Sequence, residues 1–338
     1  MSTAIHRTAV AILVTVLIVS LPVSGAVAGT DSSARGEKGT TAVITADQQE
    51  QKVLVFDTRF PNWRGDGRML LWSWYPHVGN GFSDDPAPGW SNVDEAKLRD
   101  VPGTDDQVVL TTASGGFLGM VDYPSGERLW SVNVQEDPDD GFHNPHSIEL
   151  LPDGNIAAAA STGGWLRLYT ASQGPDAETY VEYPLVGGHG VQWDPELELL
   201  WALGDDELIA FEVGGTPADP TLEVERISYL PTFGGHDLQP VYGDTDRLWV
   251  TSNTGVYQYV KSIDEWDTDY PMADELYRTM VKSVSNHPVT DQVVQAKPKA
   301  DCATTWCTDT IDFFGPAETR MRKGAEFYKA RWFVPDYQ

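Results

Sequence analysis

The chain has 338 residues, 50 of them acidic and 23 basic, for a formal charge of −27. A surface this acidic repels nucleic acid and anionic membranes, which excludes both as main partners. The length exceeds that of an average domain but lies within reach of one large all-β domain.

In chain order, a short basic stretch (His6, Arg7) precedes an apolar run from Ala9 to Val23 and then Ala26-Val27-Ala28. This is the pattern of a signal peptide cleaved after Ala28. No later run reaches the roughly 20 apolar residues a membrane span requires. The expectation is a secreted, soluble protein with no membrane attachment after cleavage, and a monomer. Residues 29–40 are small, polar and non-periodic, a disordered lead-in. Residues 41–338 are expected to form a single domain.

From there the sequence is a succession of short runs rich in Val, Leu, Trp and Tyr, punctuated by Gly, Pro, Asp and Asn. Such runs predict strands, and an all-β protein. Four segments align: His146-SIELLPDGNIAAAAS, His189-GVQWDPELELLWALG, His236-DLQPVYGDTDRLWVTS and Lys282-SVSNHPVTDQVVQAKP. Each reads polar residue, strand, turn, strand, and a third strand follows in WLRLY, ELIAFEV, GVYQYV and DTIDFFG. A weaker copy through SGGFLGMVD puts Lys97 at the anchor position, and EFYKARWFV adds a last inner strand carrying Lys329 and Arg331. The strands missing from that last unit stand near the N-terminus, in TAVITAD, QKVLVFD and MLLWSWYP.

The anchors 97, 146, 189, 236, 282 and 329 recur at intervals of about 45 residues, a blade length. The prediction is a six-bladed β-propeller in which N- and C-terminal strands share one blade and close the ring. Seven blades is the alternative, because residues 72–90 are long enough to hold irregular strands.

Residues at one repeat position of a propeller ring its central channel. Here that ring reads Lys97, His146, His189, His236, Lys282 and Lys329. Three converging imidazoles with open positions describe a catalytic divalent-metal site for Mn, Zn or Ca. Gln192 and Gln239, three residues after their histidines, are candidates to complete the coordination, and Glu149 to orient an imidazole. The cationic residues would draw in an anionic ligand, or one with a lowered pKa would act as base. The competing reading makes the histidines strand caps, as in the Gly-His dipeptide of WD repeats. His143 is a candidate substrate contact, His77 and His287 read as surface residues, and Trp72, Trp74 and Trp90 lie near loops where they would stack on sugar rings. Cys302 and Cys307, five apart in DCATTWC, predict a disulfide across a loop. Serine-triad, phosphate-loop and dinucleotide motifs are absent from the sequence.

The stretches HNPHSIELLPDGNIAAAAS, GGHGVQWDPELELLWALG and GGHDLQP resemble a functionally unassigned family of secreted bacterial propellers. The chain is more distantly similar to oligogalacturonate lyases. That similarity implies a metal at His146, His189 and His236 with Gln192 or Gln239, and a base among Lys97, Lys282, Lys329 and Arg331. The chain departs from those lyases in placing one anchor on each blade. HSIELLPDGN also resembles a stretch of arylsulfotransferase-like propellers, which implies sulfuryl transfer through a histidine. The leading expectation is a metal-dependent enzyme that cleaves an acidic saccharide by β-elimination. A histidine-dependent sulfuryl transferase and a non-catalytic carbohydrate- or protein-binding propeller are the alternatives.

Overall fold

Short strands flanked by Gly, Pro and Asx turns cannot bury both faces alone, so they pair into small sheets that pack face to face. The computed structural model describes residues 41–65, 67–135 and 141–338. The expected signal peptide and lead-in lie outside these residues.

Six four-stranded antiparallel sheets make up the described chain. Blade 1 comprises Val93–Asp100, Gln107–Ala113, Phe117–Tyr123 and Arg128–Asn133. The first strands of blades 2 to 5 are Pro145–Leu150, Gly190–Asp194, Gly235–Pro240 and Ser283–Asn286. Blade 6 is built from both ends of the described chain. Its inner strand Phe327–Trp332 pairs with Ala42–Asp47, followed by Lys52–Asp57 and Leu70–Trp74. Val43 faces Trp332 and Thr45 faces Ala330 across that seam. Each inner strand touches the inner strands of both neighbouring blades, and the sixth touches the first, so the ring closes. The seven-blade alternative is thereby corrected. Residues 72–90 supply the end of one strand and a loop with a short 3-10 turn at Val78–Asn80, and no further sheet.

The blades pack through alternation along their strands. Ile156–Ala160 is buried throughout. Ala158 and Ala160 join the core between blades 1 and 2, while Ala157 and Ala159 join the core between blades 2 and 3. A strand covered on both faces needs no polar positions, and successive side chains serve opposite interfaces. Among the described residues no helix is long and apolar enough to cross a membrane.

Candidate functional site

Six inner strands around one axis bring their equivalent residues into layers. At one end of the channel the layer consists of Asp94, His146, His189, His236, Lys282 and Tyr328. Ladder irregularities fall at Asp94, His146 and His236, each an extra residue between two paired neighbours. Such bulges re-aim a side chain, here toward the axis. His189 and Lys282 reach the same level through regular bonds, their N–H groups donating to Leu203 O and Ala296 O at 2.8 Å. His189 is followed by Gly190, where a Cβ would meet the Leu238 Cβ of the next blade at 2.5 Å.

The three histidines meet, as expected. The rings of His146 and His189 stack with centroids 4.4 Å apart and planes at 12°. His189 and His236 meet edge to face at 5.3 Å. His189 Nδ1 lies 2.7 Å from Gly187 O and donates to it, which leaves the proton off Nε2. His236 Nε2 is 2.9 Å from Lys282 Nζ and 2.8 Å from Asn253 Oδ1. Asp94 Oδ1 stands 3.7 Å from His146 Nδ1 and accepts from Gln48 Nε2 at 3.1 Å, while Oδ2 accepts from Ser114 Oγ at 2.6 Å. The Tyr328 ring lies 5.4 Å from that of His146.

Burial dominates the electrostatics of this layer. It pushes the imidazoles of His146 and His189 well below their ordinary range, helped by the neighbouring His and Lys groups. His236 falls to about 3 through burial and then the charge of Lys282. Burial, and then Lys329, lowers Lys282 to about 8. Burial drives the Asp94 carboxyl well above its usual value, against the hydrogen bond from Ser114. At neutral pH the layer thus presents uncharged imidazoles beside one ammonium group.

The other cationic residues named from sequence lie deeper. Lys329 is one residue below the ring position, which Tyr328 occupies. Its Nζ donates to His146 O at 3.2 Å and His189 O at 3.1 Å and stands 3.3 Å from Asp237 Oδ1. Arg331 forks onto Glu95, with both bonds at 2.7 Å, and onto Asp237 at 2.7 and 3.0 Å. Lys97 sits three residues beyond Asp94, donating to Val191 O at 2.6 Å and to Glu149 at 3.2 Å. Arg99 binds Glu149 through two 2.8 Å bonds. These side chains are nearly inaccessible to solvent. Of the four candidate bases, only Lys282 therefore belongs to the histidine layer. On blade 6 the ladder irregularity between Phe327 and Ala330 adds one residue, which moves the ring position from Lys329 to Tyr328, whereas on blade 1 the aligned Lys97 lies three residues past Asp94, more than the single extra residue there accounts for.

Gln192 and Gln239 stand three residues along their strands from the histidines, roughly 10 Å away at an extended rise. Gln192 Nε2 donates to Tyr337 O at 3.0 Å, and Gln239 Nε2 donates to Leu238 O at 2.6 Å. They belong to the far end of the channel, which the C-terminal tail covers. Tyr337 Oη donates to Leu150 O at 2.9 Å, Tyr242 Oη to Asp336 O at 3.0 Å, and the Arg99 guanidinium lies 4.8 Å over the Tyr337 ring. The histidine end is the accessible one, with His189 and His236 partly exposed.

The donor set can be tested against the expected metal. Parallel rings 4.4 Å apart cannot both aim in-plane lone pairs at one ion about 2 Å from each, and His236 Nε2 is already engaged. As arranged, these histidines do not fit a shared metal. Among the described residues no group of three or more His, Cys, Asp or Glu side chains is placed to hold one.

His143 is buried, its Nδ1 accepting from Trp165 Nε1 at 3.0 Å. His287 is buried rather than superficial, its Nδ1 accepting the N–H of Val289 at 3.0 Å. His77 caps the short turn at Val78–Asn80. Trp74 and Trp90 are buried in an aromatic cluster, and Trp72 is half-buried, donating to Pro124 O. The disulfide Cys302–Cys307 is formed, with Cα atoms 5.8 Å apart. Sequence reasoning missed Asp94, Tyr328 and Asn253. The first two share no residue type with the histidine copies at the ring position, and the third reaches the ring from the turn after a second strand.

Among solved structures the chain is similar to a protein of unknown function from Bacteroides caccae. The TM-score is 0.56 at 9% identity, covering 87% of this chain and 98% of that one. Saccharomyces cerevisiae Sqt1 is similar over 87% of this chain and 68% of that one, at TM-score 0.46 and 13% identity. At such identities the first likeness speaks for the propeller fold alone. No curated protein matches the chain. The model of the family of unknown function DUF6528 matches residues 7–337, and the chain belongs to that family.

Proposed function

We propose that the protein is an exported enzyme that binds an acidic saccharide at the histidine end of its channel and cleaves it by β-elimination, with its own side chains doing the proton transfer. The observation that carries this reading is the pairing of a tautomer-fixed, uncharged imidazole with an ammonium group two rings away. His189 Nδ1 is committed to Gly187 O, and Lys282 stands against His236, itself in contact with His189.

In this reading Lys282 takes the uronate carboxylate, which acidifies the adjacent C–H. His189 Nε2 removes that proton, the C–H electron pair becomes the new C=C bond, and the glycosidic C–O bond breaks. The imidazolium then returns its proton to the departing oxygen, so atoms and charge balance. A group whose proton affinity is held down by burial gives its proton back readily.

The test is turnover of oligogalacturonate and other uronate polymers, read as absorbance of the unsaturated uronide. The expected result is activity that survives chelator, a loss of at least a hundredfold in kcat for His189→Gln, and a raised KM for Lys282→Met. Absence of turnover on every uronate polymer sinks the reading. One tightly bound Mn, Zn or Ca ion per chain, lost in a His146→Ala/His189→Ala double variant, would reinstate the metal-dependent form. Chelator-resistant labelling of a histidine by an aryl sulfate would favour sulfuryl transfer, for which an imidazole with a free Nε2 beside a cation is equally suited.

A further inference from the structure

Large indoles are normally kept out of water, and this chain follows the rule with one departure. Of its twelve tryptophans, Trp72 and Trp266 are half-buried, Trp306 is 42% exposed, and the rest are buried. Trp306 occupies the loop closed by the Cys302–Cys307 disulfide. The base of that loop is anchored, since Cys307 is fully buried, its carbonyl accepts from Lys299 N at 3.0 Å, and its Sγ accepts from Thr304 N at 3.4 Å. Trp306 directly precedes this anchored cysteine in the chain.

The exposed ring is nonetheless held in place. Trp306 Nε1 donates to Gln48 Oε1 at 3.0 Å, and Gln48 Nε2 donates onward to Asp94 Oδ1 at 3.1 Å. Asp94 is a member of the histidine layer, 3.7 Å from His146. One glutamine side chain therefore fixes the indole at the rim of the open channel end, with its polar edge satisfied and part of its apolar surface facing solvent. Gln48 is itself buried, and its backbone N–H donates to Glu326 O at 3.0 Å. An immobilised aromatic face beside a polar, hydrogen-bonding mouth matches a pyranose ring, which offers an apolar C–H face and a polar edge.

We infer that Trp306, held by the disulfide loop and Gln48, is a stacking platform for a sugar ring of the ligand that enters the histidine end. The inference rests on the reading that this end takes a saccharide, and it assigns the subsite next to the reacting unit. Trp306 is the contact residue and Gln48 the positioning residue.

The test measures equilibrium binding of two probes, an oligogalacturonate and a neutral xylo-oligosaccharide, to wild type and to Trp306→Ala, Trp306→Phe and Gln48→Ala. Iodide quenching of tryptophan fluorescence is followed in parallel. Stacking predicts about a tenfold weaker Kd for Trp306→Ala, most of it restored in Trp306→Phe, and a smaller loss in Gln48→Ala. It also predicts that ligand protects wild type from iodide, with no such protection in Trp306→Phe. Unchanged thermal melting in Trp306→Phe separates these effects from misfolding. Oligogalacturonate binding that ignores Trp306 overturns the platform and leaves the acidic-saccharide reading intact. Trp306-dependent binding of the neutral sugar without oligogalacturonate binding supports the platform and overturns the acidic reading. Binding of neither probe overturns both.

Discussion

At the scale of single residues the site is decided by desolvation. Lys282 keeps its charge only up to about pH 8, because burial and the nearby Lys329 oppose protonation. Affinity for an anionic ligand should therefore be full at about pH 7 and below and fall as pH rises from 7 to 9, and this dependence should vanish in Lys282→Arg. The sign for stability is opposite. The unfolded chain binds this proton more tightly than the folded one between pH 8 and 10.5, so the group makes the fold more stable as pH rises through that window. A falling binding curve alongside an undiminished melting temperature would show that ligand recognition, and not unfolding, is being titrated. His146, His189, His236 and Lys282 were legible as ring members because each opens a repeat. Asp94 was not, because DEAK shares no residue with the histidine copies at that point.

Elements carry the next level of decision. The strand-turn-strand grammar of each blade was readable from runs of Val, Leu and Trp between turn residues, and the shared sixth blade from its missing strands. The bulges at Asp94, His146 and His236 were not, since an extra residue in a strand leaves the alternation of its flanks intact. A further irregularity between Phe327 and Ala330 is why Lys329 appeared in the ring in place of Tyr328, while Lys97 lies three residues past Asp94, and both lysines stand among ion pairs. The tail after Trp332 also escaped notice, having no periodicity of its own. Phe333 and Val334 are buried, and Tyr337 seals the channel over Leu150 and Gln192. Truncation after Trp332 should cost on the order of 3–5 kcal/mol. Denaturant unfolding would check this, with a midpoint indistinguishable from wild type counting against the tail as the seal of that end.

For the whole molecule, the channel acts as an axle of paired charges. Arg331 of blade 6 joins Glu95 of blade 1 to Asp237 of blade 4, and Lys329 extends the link toward the backbone of His146 and His189. Burial opposes the charge of Glu95, but Arg331 and Lys329 outweigh it and hold the carboxyl well below its usual range. Glu95→Gln would leave buried cations uncompensated and should lower stability by about 3–5 kcal/mol. The check is denaturant unfolding, and the loss should exceed that of an exposed control such as Glu318→Gln severalfold.

The amino-acid sequence by itself determined the blade repeat, which narrowed the ring to six blades or seven, the closure of the ring by its two ends, the meeting of three histidines and a lysine, and the disulfide. All of these rest on local patterns: alternation within strands, turn residues between them, and a repeat length. The tertiary structure alone decided which residues complete the ring, that the imidazoles stack instead of converging, which end of the channel is open, and that Trp306 faces solvent. Those outcomes depend on where bulges aim side chains and on what neighbouring blades and the tail press against them. Such contacts join residues hundreds of positions apart, as Gln48 and Trp306 do, and no local pattern encodes them.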